Sequence, residues 1–213
     1  MKAIIFDLDG TLIDSHMDIL AAFAKAFEGL GVTMPPEERL ISVIGRRLED
    51  CFATFLNGDA RRGDEGARLF RAWYRDHYRD ATRPYPGAEE ALRRLVDRLP
   101  LGVCTMKKGL YAREIIRSFG WDVLFRAVVG SEEGLPPKPD PAMLLETCRQ
   151  LGARPEESLY VGDTPLDARM ALSAGVPFAF AAYGYGSLDG ESDLQPRVLV
   201  RSAADLGALA LPA

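Results

Sequence analysis

Residues 3–15 read AIIFDLDGTLIDS, which sets Asp7 and Asp9 one residue apart at the end of an apolar run, with Gly-Thr and a third aspartate, Asp14, close behind. Carboxylates this close repel one another. A chain that had only to fold would have little reason to gather them at the end of a buried strand, so a positive partner is expected there. A second acidic pair, Asp163 and Asp167, stands in GDTPLD at 162–167, again just after an apolar run. An oxygen donor set without His or Cys suits a hard, hydrated cation, and Mg²⁺ is the commonest such ion when two or three carboxylates are direct ligands. Thr105, ending LGVCT, and Lys138, in PPKPDP, add a hydroxyl and an ammonium, both natural donors to phosphoryl oxygens. The set reads as a phosphoryl-transfer site.

These groups meet only if the apolar runs lie side by side as strands. KAIIF (2–6), LGVCT (101–105), AVVG (127–130), SLYVG (158–162) and FAFAA (178–182) are near-continuous in apolar residues, as expected of parallel strands covered by helices on both faces. Between them lie helical periods such as PGAEEALRRLVDRL (86–99), with Ala88, Ala91, Leu92, Leu95, Val96 and Leu99 on one stripe. The alternation predicts a doubly wound, Rossmann-like α/β core, in which ligands bind beyond the carboxyl ends of the strands. Asp7, Asp9, Thr105 and Asp163 stand at such ends, and Lys138 sits in a loop stiffened by Pro136, Pro137, Pro139 and Pro141.

From about Met17 to Thr82 no strand pattern occurs, but DILAAFAKAFEGLG sets Ile19, Leu20, Phe23, Ala26, Phe27 and Leu30 on one helical face. The expected organisation is a core of 1–14 and 84–213 with an all-helical insert at 15–83, joined near Ser15 and RPYPG by turn chemistry. After YGYGS (183–187) comes a short apolar RVLV and a helix expected at 203–210.

In order and in kind, DLDGT (7–11), VCT (103–105), KPD (138–140) and GDTPLD (162–167) resemble the four motifs of the haloacid dehalogenase (HAD) superfamily of phosphohydrolases, in the branch whose helical cap follows the first strand. PYPG and YGYG add to a likeness with phosphoglycolate phosphatases. The resemblance implies that Asp7 is a nucleophile forming an aspartyl phosphate. It implies that Asp9 is the acid for the leaving oxygen and then the base for water. Thr105 and Lys138 would hold phosphoryl oxygens. Asp7, the carbonyl of Asp9 and Asp163 would ligate Mg²⁺, and Asp167 would do so directly or through water. The cap would close over the substrate, and Arg46, in VIGRRLED (43–50), could meet a charge on the leaving group. Asp14 is read as a hinge residue. One departure stands out: many relatives follow the motif-two Thr with Asn and then Lys, where this chain has Met106 and then Lys107, and a thioether cannot make the amide's hydrogen bonds.

The expected function is Mg²⁺-dependent hydrolysis of a small phosphorylated metabolite, phosphoglycolate being the first guess. The same residues serve a phosphosugar mutase. A dehalogenase is disfavoured, since it needs no Asp9, and a phosphoacceptor receiver or other non-catalytic binding module is disfavoured by the helical insert and the filled catalytic positions. With a net charge of −5 and no concentrated basic face, nucleic acid is not the expected partner. No run approaches the ~20 apolar residues that span a bilayer, so a membrane is not expected either. Three scattered cysteines fit free thiols in a reducing, cytoplasmic setting, as monomer or dimer.

Overall fold

The computed structural model describes residues 1–131 and 134–209. By chain contacts it divides into Met1–Ile13 with Pro84–Ala213, and Asp14–Arg83.

The first unit is an α/β core. Its sheet has the strands β1 (Ala3–Phe6), β4 (Leu101–Cys104), β5 (Phe125–Val129), β6 (Ser158–Gly162), β7 (Phe178–Ala181) and β8 (Val198–Val200), in spatial order β5-β4-β1-β6-β7-β8. Every pairing is parallel. β1 is central: the chain builds outward through β4 and β5, then crosses back to add β6, β7 and β8. Reversal of direction at β1 opens the crevice where such sheets bind ligands. The inner strands are mostly apolar because helices cover them: α7 (Ala142–Leu151) packs on β4 and β5, and α8 (Pro165–Ala174) on β6 and β7. Ile5, Cys104, Tyr160, Met143 and Met170 form part of one buried cluster on that face. Two further helices, α5 (Ala88–Val96) and α6 (Gly109–Ser118), complete the unit.

Two expectations change. β5 begins at Phe125, earlier than AVVG suggests, because exposed Arg126 interrupts the apolar run inside the strand. The end of the chain forms a 3₁₀ turn over Ala203–Ala208, and residue 210 of the expected helix lies outside the described residues.

The second unit is helical: α1 (His16–Gly29), α2 (Glu37–Ile41), α3 (Leu48–Phe55) and α4 (Ala60–His77). Asp59 caps α4 by accepting from the N–H groups of Arg61 and Arg62. Its core is aromatic, with Phe23 packed 5.2 Å from Phe52 and 5.0 Å from Phe70, centroid to centroid. The two chain crossings between units, β2 (Ile13–Asp14) and β3 (Arg83–Pro84), pair as a ribbon. Among the described residues, no helix is long and apolar enough to cross a membrane.

Candidate active site

Phe6 stands opposite Val103 of β4 and Val161 of β6, so the chain leaving β1 emerges between the ends of its two neighbours, and the Asp7 N–H donates to the Val161 carbonyl at 2.8 Å. The same register carries Thr105 and Asp163 to that end of the sheet. Lys138 Nζ lies 3.1 Å from Asp7 Oδ2 and 2.7 Å from Asp167 Oδ1, with its side chain 1 % exposed.

Asp167 is held from every side. Its Oδ1 faces Lys138 and the Tyr160 hydroxyl, at 2.8 Å, while its Oδ2 accepts from the Thr164 N–H at 3.0 Å and the Thr164 hydroxyl at 2.6 Å. The Thr164 contacts form a reciprocal cap on α8, so the carboxylate also serves the helix that carries it. A carboxylate has about four lone-pair sites, and four donor groups address this one.

Asp163 is fully buried, with Oδ1 accepting from the Thr11 hydroxyl at 3.1 Å and Oδ2 from the Tyr185 N–H at 2.8 Å. Backbone fits around it without clearance. At Gly10, whose φ is +80°, a Cβ would come 2.2 Å from Asp163 Oδ2, and at Gly184 one would come 2.3 Å from the Asp163 Cβ. Only glycine allows that approach. The Tyr183 hydroxyl donates to the Thr11 carbonyl at 2.6 Å, and its ring meets that of Tyr85 edge to face at 5.0 Å. PYPG and YGYG thus brace the turn after β1 from both sides.

Asp7 Oδ1 is buried with no hydrogen-bond partner among the described residues. An unsatisfied buried carboxylate oxygen is costly. Asp7, Asp163 and Asp167 each offer an oxygen, all within 4.8 Å of one another, and the all-oxygen donor set fits a hard divalent cation. Electrostatics agree: burial, opposed by Lys138 and aided by Asp167 and Asp9, pushes the Asp7 carboxyl up to about 7. Asp163 is raised well above the carboxylate range by burial, then by Asp167 and Asp7. Asp167 is the exception, since burial is outweighed by Lys138, Thr164 and Tyr160 and its carboxyl is lowered. Lys138 stays protonated because Asp167 and Asp7 overcome the burial that opposes its charge. A cation would relieve Asp7 and Asp163 together.

Other groups take their partners from the fold. Lys107, 8 % exposed, places its Nζ 3.1 Å from Asp9 Oδ1, so each aspartate of the first motif has its own lysine. The Lys107 N–H donates to Thr105 Oγ1 at 3.2 Å. Met106 packs against the apolar cluster that contains Tyr160 and Met143, which gives the residue a place in the core. Asp14 accepts from the His16 N–H at 3.3 Å and lies 2.5 Å from its Nδ1. Arg46 belongs to the helical unit, exposed after the turn at Gly45.

The sequence pattern of the haloacid dehalogenase-like hydrolases matches residues 4–181. The chain belongs to that family. A phosphoglycolate phosphatase of Cereibacter sphaeroides is 37 % identical over 191 residues, 87 % of each chain. A 5'-nucleotidase of Pseudomonas aeruginosa is 34 % identical over 207 residues, 97 % of this chain and 92 % of that one. Among solved structures, a haloacid dehalogenase-like family hydrolase from Streptococcus pneumoniae superposes with a TM-score of 0.90 at 26 % identity, covering 98 % of this chain and 97 % of that one. The hydrolase fold and the crevice at β1 are therefore those of this family.

Proposed function

We propose that this hydrolase is a Mg²⁺-dependent phosphatase of small phosphate monoesters, acting through an aspartyl phosphate on Asp7, with phosphoglycolate the first substrate to test. The observation that carries the reading is Asp7 itself: one oxygen is paired with Lys138 and the other is buried without a partner beside Asp163. Asp7, the Asp9 carbonyl and Asp163 would hold the cation, and Asp167, its oxygens already engaged, would reach it through water. When bound, the ion offsets the repulsion between a carboxylate nucleophile and the phosphoryl oxygens.

In this reading Asp7 attacks phosphorus while Lys138 and Thr105 hold the non-bridging oxygens. The ester P–O bond breaks, and Asp9 gives its proton to the departing oxygen, which leaves as an alcohol. Asp9 then takes a proton from water, the water oxygen attacks phosphorus, and the bond to Asp7 breaks to release phosphate. Arg46 of the helical unit is the leaving-group contact of this proposal. The three buried free thiols, Cys51, Cys104 and Cys148, suit a reducing, cytoplasmic setting.

The test is phosphate release with Mg²⁺ and with EDTA, from phosphoglycolate, nucleoside 5'-monophosphates, sugar phosphates and an aryl phosphate. Release should need Mg²⁺ and fall at least a thousandfold in Asp7→Asn. Turnover that survives in Asp7→Asn would remove the aspartyl phosphate from the mechanism, and a sugar phosphate returned as its isomer, without free phosphate, would favour a mutase.

A further inference from the structure

We infer that Tyr183 sets the cation affinity of the site: acting through Thr11, its hydroxyl fixes the Asp163 carboxylate in the orientation that a divalent ion would use. This role rests on the cation of the proposed function, and Tyr183 lies outside all four motifs.

Tyr183, Thr11, Asp163 and Tyr185, all of the α/β core, form a closed ring. The Tyr183 hydroxyl donates to the Thr11 carbonyl at 2.6 Å, the Thr11 hydroxyl donates to Asp163 Oδ1 at 3.1 Å, and the Tyr185 N–H donates to Asp163 Oδ2 at 2.8 Å. One loop therefore holds both oxygens, Oδ2 directly and Oδ1 at one remove. The loop is anchored to the sheet, since the Ala182 N–H donates to the Val200 carbonyl at 2.9 Å and the Gly184 N–H to the Ala181 carbonyl at 3.1 Å. A Cβ at Gly186 would lie 2.3 Å from the Asp163 carbonyl oxygen, so the loop also runs against the backbone of the residue it holds.

Packing does not explain the hydroxyl. Against the Tyr85 ring, met edge to face, a phenylalanine would serve as well. Nor does the turn after β1 need the hydroxyl for its shape, because the turn is bonded within itself. The Leu12 and Ile13 N–H groups donate to the Leu8 carbonyl at 2.9 and 3.1 Å, and the Gly10 N–H donates to the Ile13 carbonyl at 2.9 Å. What the hydroxyl adds is attachment, tying the turn that carries Thr11 to the loop that carries Tyr185. Thr11 and Asp163 are fully buried, so an acceptor that lost its donor there would have no bulk water to replace it.

A carboxylate offers about four lone-pair sites, and Thr11 and Tyr185 each address one oxygen of Asp163. One of those oxygens lies within 4.8 Å of oxygens of Asp7 and Asp167. Held at both ends, the carboxylate is oriented before an ion arrives, and less binding energy is lost in ordering it. Groups that orient a ligating carboxylate commonly carry about ten- to hundredfold in metal affinity. Tyr183 stands one bond further out, and its share is smaller.

Binding can be followed without turnover using Mn²⁺, which takes the same oxygen donors as Mg²⁺, through the electron paramagnetic resonance signal of the free ion. Tyr183→Phe, which keeps the ring, should bind Mn²⁺ about three- to tenfold more weakly than the wild-type protein, and Thr11→Val about tenfold or more. Thr11→Ser, which keeps the hydroxyl, should stay within about twofold of wild type. Adding Tyr183→Phe to Thr11→Val should weaken binding by no more than about a further twofold, because the two side chains act in series. Circular dichroism reports whether each variant is folded. Equal Mn²⁺ affinity in the wild-type protein and folded Tyr183→Phe overturns the assignment, as do effects that multiply in the double variant or a wild-type protein that binds no Mn²⁺. In parallel, the Mg²⁺ concentration that half-activates phosphate release should rise in Tyr183→Phe by the factor seen with Mn²⁺. If no ester releases phosphate but Mn²⁺ affinity depends on Tyr183, the phosphatase reading fails and the assignment of Tyr183 stands.

Discussion

Asp7 is buried, which opposes the ionised form that attack on phosphorus or the binding of a cation would need. Its carboxyl is pushed up to about 7 chiefly by burial, against about 4 for an unperturbed carboxylate. Without metal, the folded protein therefore keeps a proton there that the unfolded chain has already lost, and stability declines as pH rises from about 4 to about 7. Asp163, raised in the same sense, adds to the trend. A bound divalent cation reverses the sign, because it requires the ionised form. Thermal melts should show the Mg²⁺-induced rise in Tm growing from pH 5 to pH 8; a rise independent of pH would mean that Asp7 and Asp163 do not ionise on binding. A second residue-scale prediction concerns Tyr160, whose hydroxyl faces Asp167 Oδ1 and the Cys104 carbonyl. Tyr160→Phe keeps the ring under Lys138 but removes a bond to a charged acceptor, a change of ~1.5–3 kcal/mol, so kcat/KM should drop about tenfold or more with KM carrying little of it. Lys138 and Asp167 are found through the motifs that hold them, whereas Asp7, Asp9, Thr105 and Asp163 stand out because charged and hydroxylic groups follow apolar runs. Lys107 and Tyr160 do not: one reads as a loop lysine and the other as part of an apolar strand, and each gains its role only from partners remote in sequence.

The element that does most for the candidate site is α8, whose first turn carries Asp167. Thr164 and Asp167 cap the helix reciprocally, so helix stability and carboxylate orientation depend on the same two side chains. Thr164→Ala should cost ~1 kcal/mol of stability, the usual value of an N-cap. Because Asp167 loses a donor and turns more freely against Lys138, activity should fall by more than that loss explains; a variant that melts lower yet turns over normally would separate cap from catalysis. The segment after β7 works by exclusion of volume. Gly184→Ala would drive a methyl into Asp163 and to 2.4 Å from the Gly10 carbonyl, so Mg²⁺ affinity should weaken at least tenfold while the sheet persists, as read by Mg²⁺ titration of activity and far-ultraviolet circular dichroism. Strands β1, β4, β6 and β7 are legible from continuous apolar runs. β8 shows only as the short apolar RVLV, too brief to mark a strand, and in the sheet just Val200 of its three residues is buried. YGYG is visible as a motif, but its task depends on sheet order, which brings β7 beside β6 and so lays the loop across Asp163.

At the scale of the whole chain, each unit has its own core, and in the helical one a buried carboxylate joins the two ends of the segment. Asp18, in the first turn of α1 and 4 % exposed, accepts from the Ala81 N–H at 2.8 Å, the Thr82 N–H at 2.8 Å and the Thr82 hydroxyl at 2.6 Å. The start of the unit is thereby bonded to its end, although 64 residues separate them. The sequence shows an all-helical stretch and turn chemistry at both junctions, but not that its first helix would hold its last residues, because the pairing is a property of closure rather than of any local pattern. Closing so long a loop is entropically costly, and a buried anion with three donors is a strong means of keeping it closed. Asp18→Ala leaves those donors without their acceptor, and each unsatisfied buried group costs ~1–3 kcal/mol. The helical unit should therefore lose about 2–4 kcal/mol. Hydrogen exchange followed by mass spectrometry should show amides of residues 16–77 exchanging at least tenfold faster in the variant while those of β1, β4 and β6 keep their protection. Were the sheet amides to accelerate by the same factor, the two units would unfold as one, and the carboxylate would be stabilising the entire chain rather than closing its helical part.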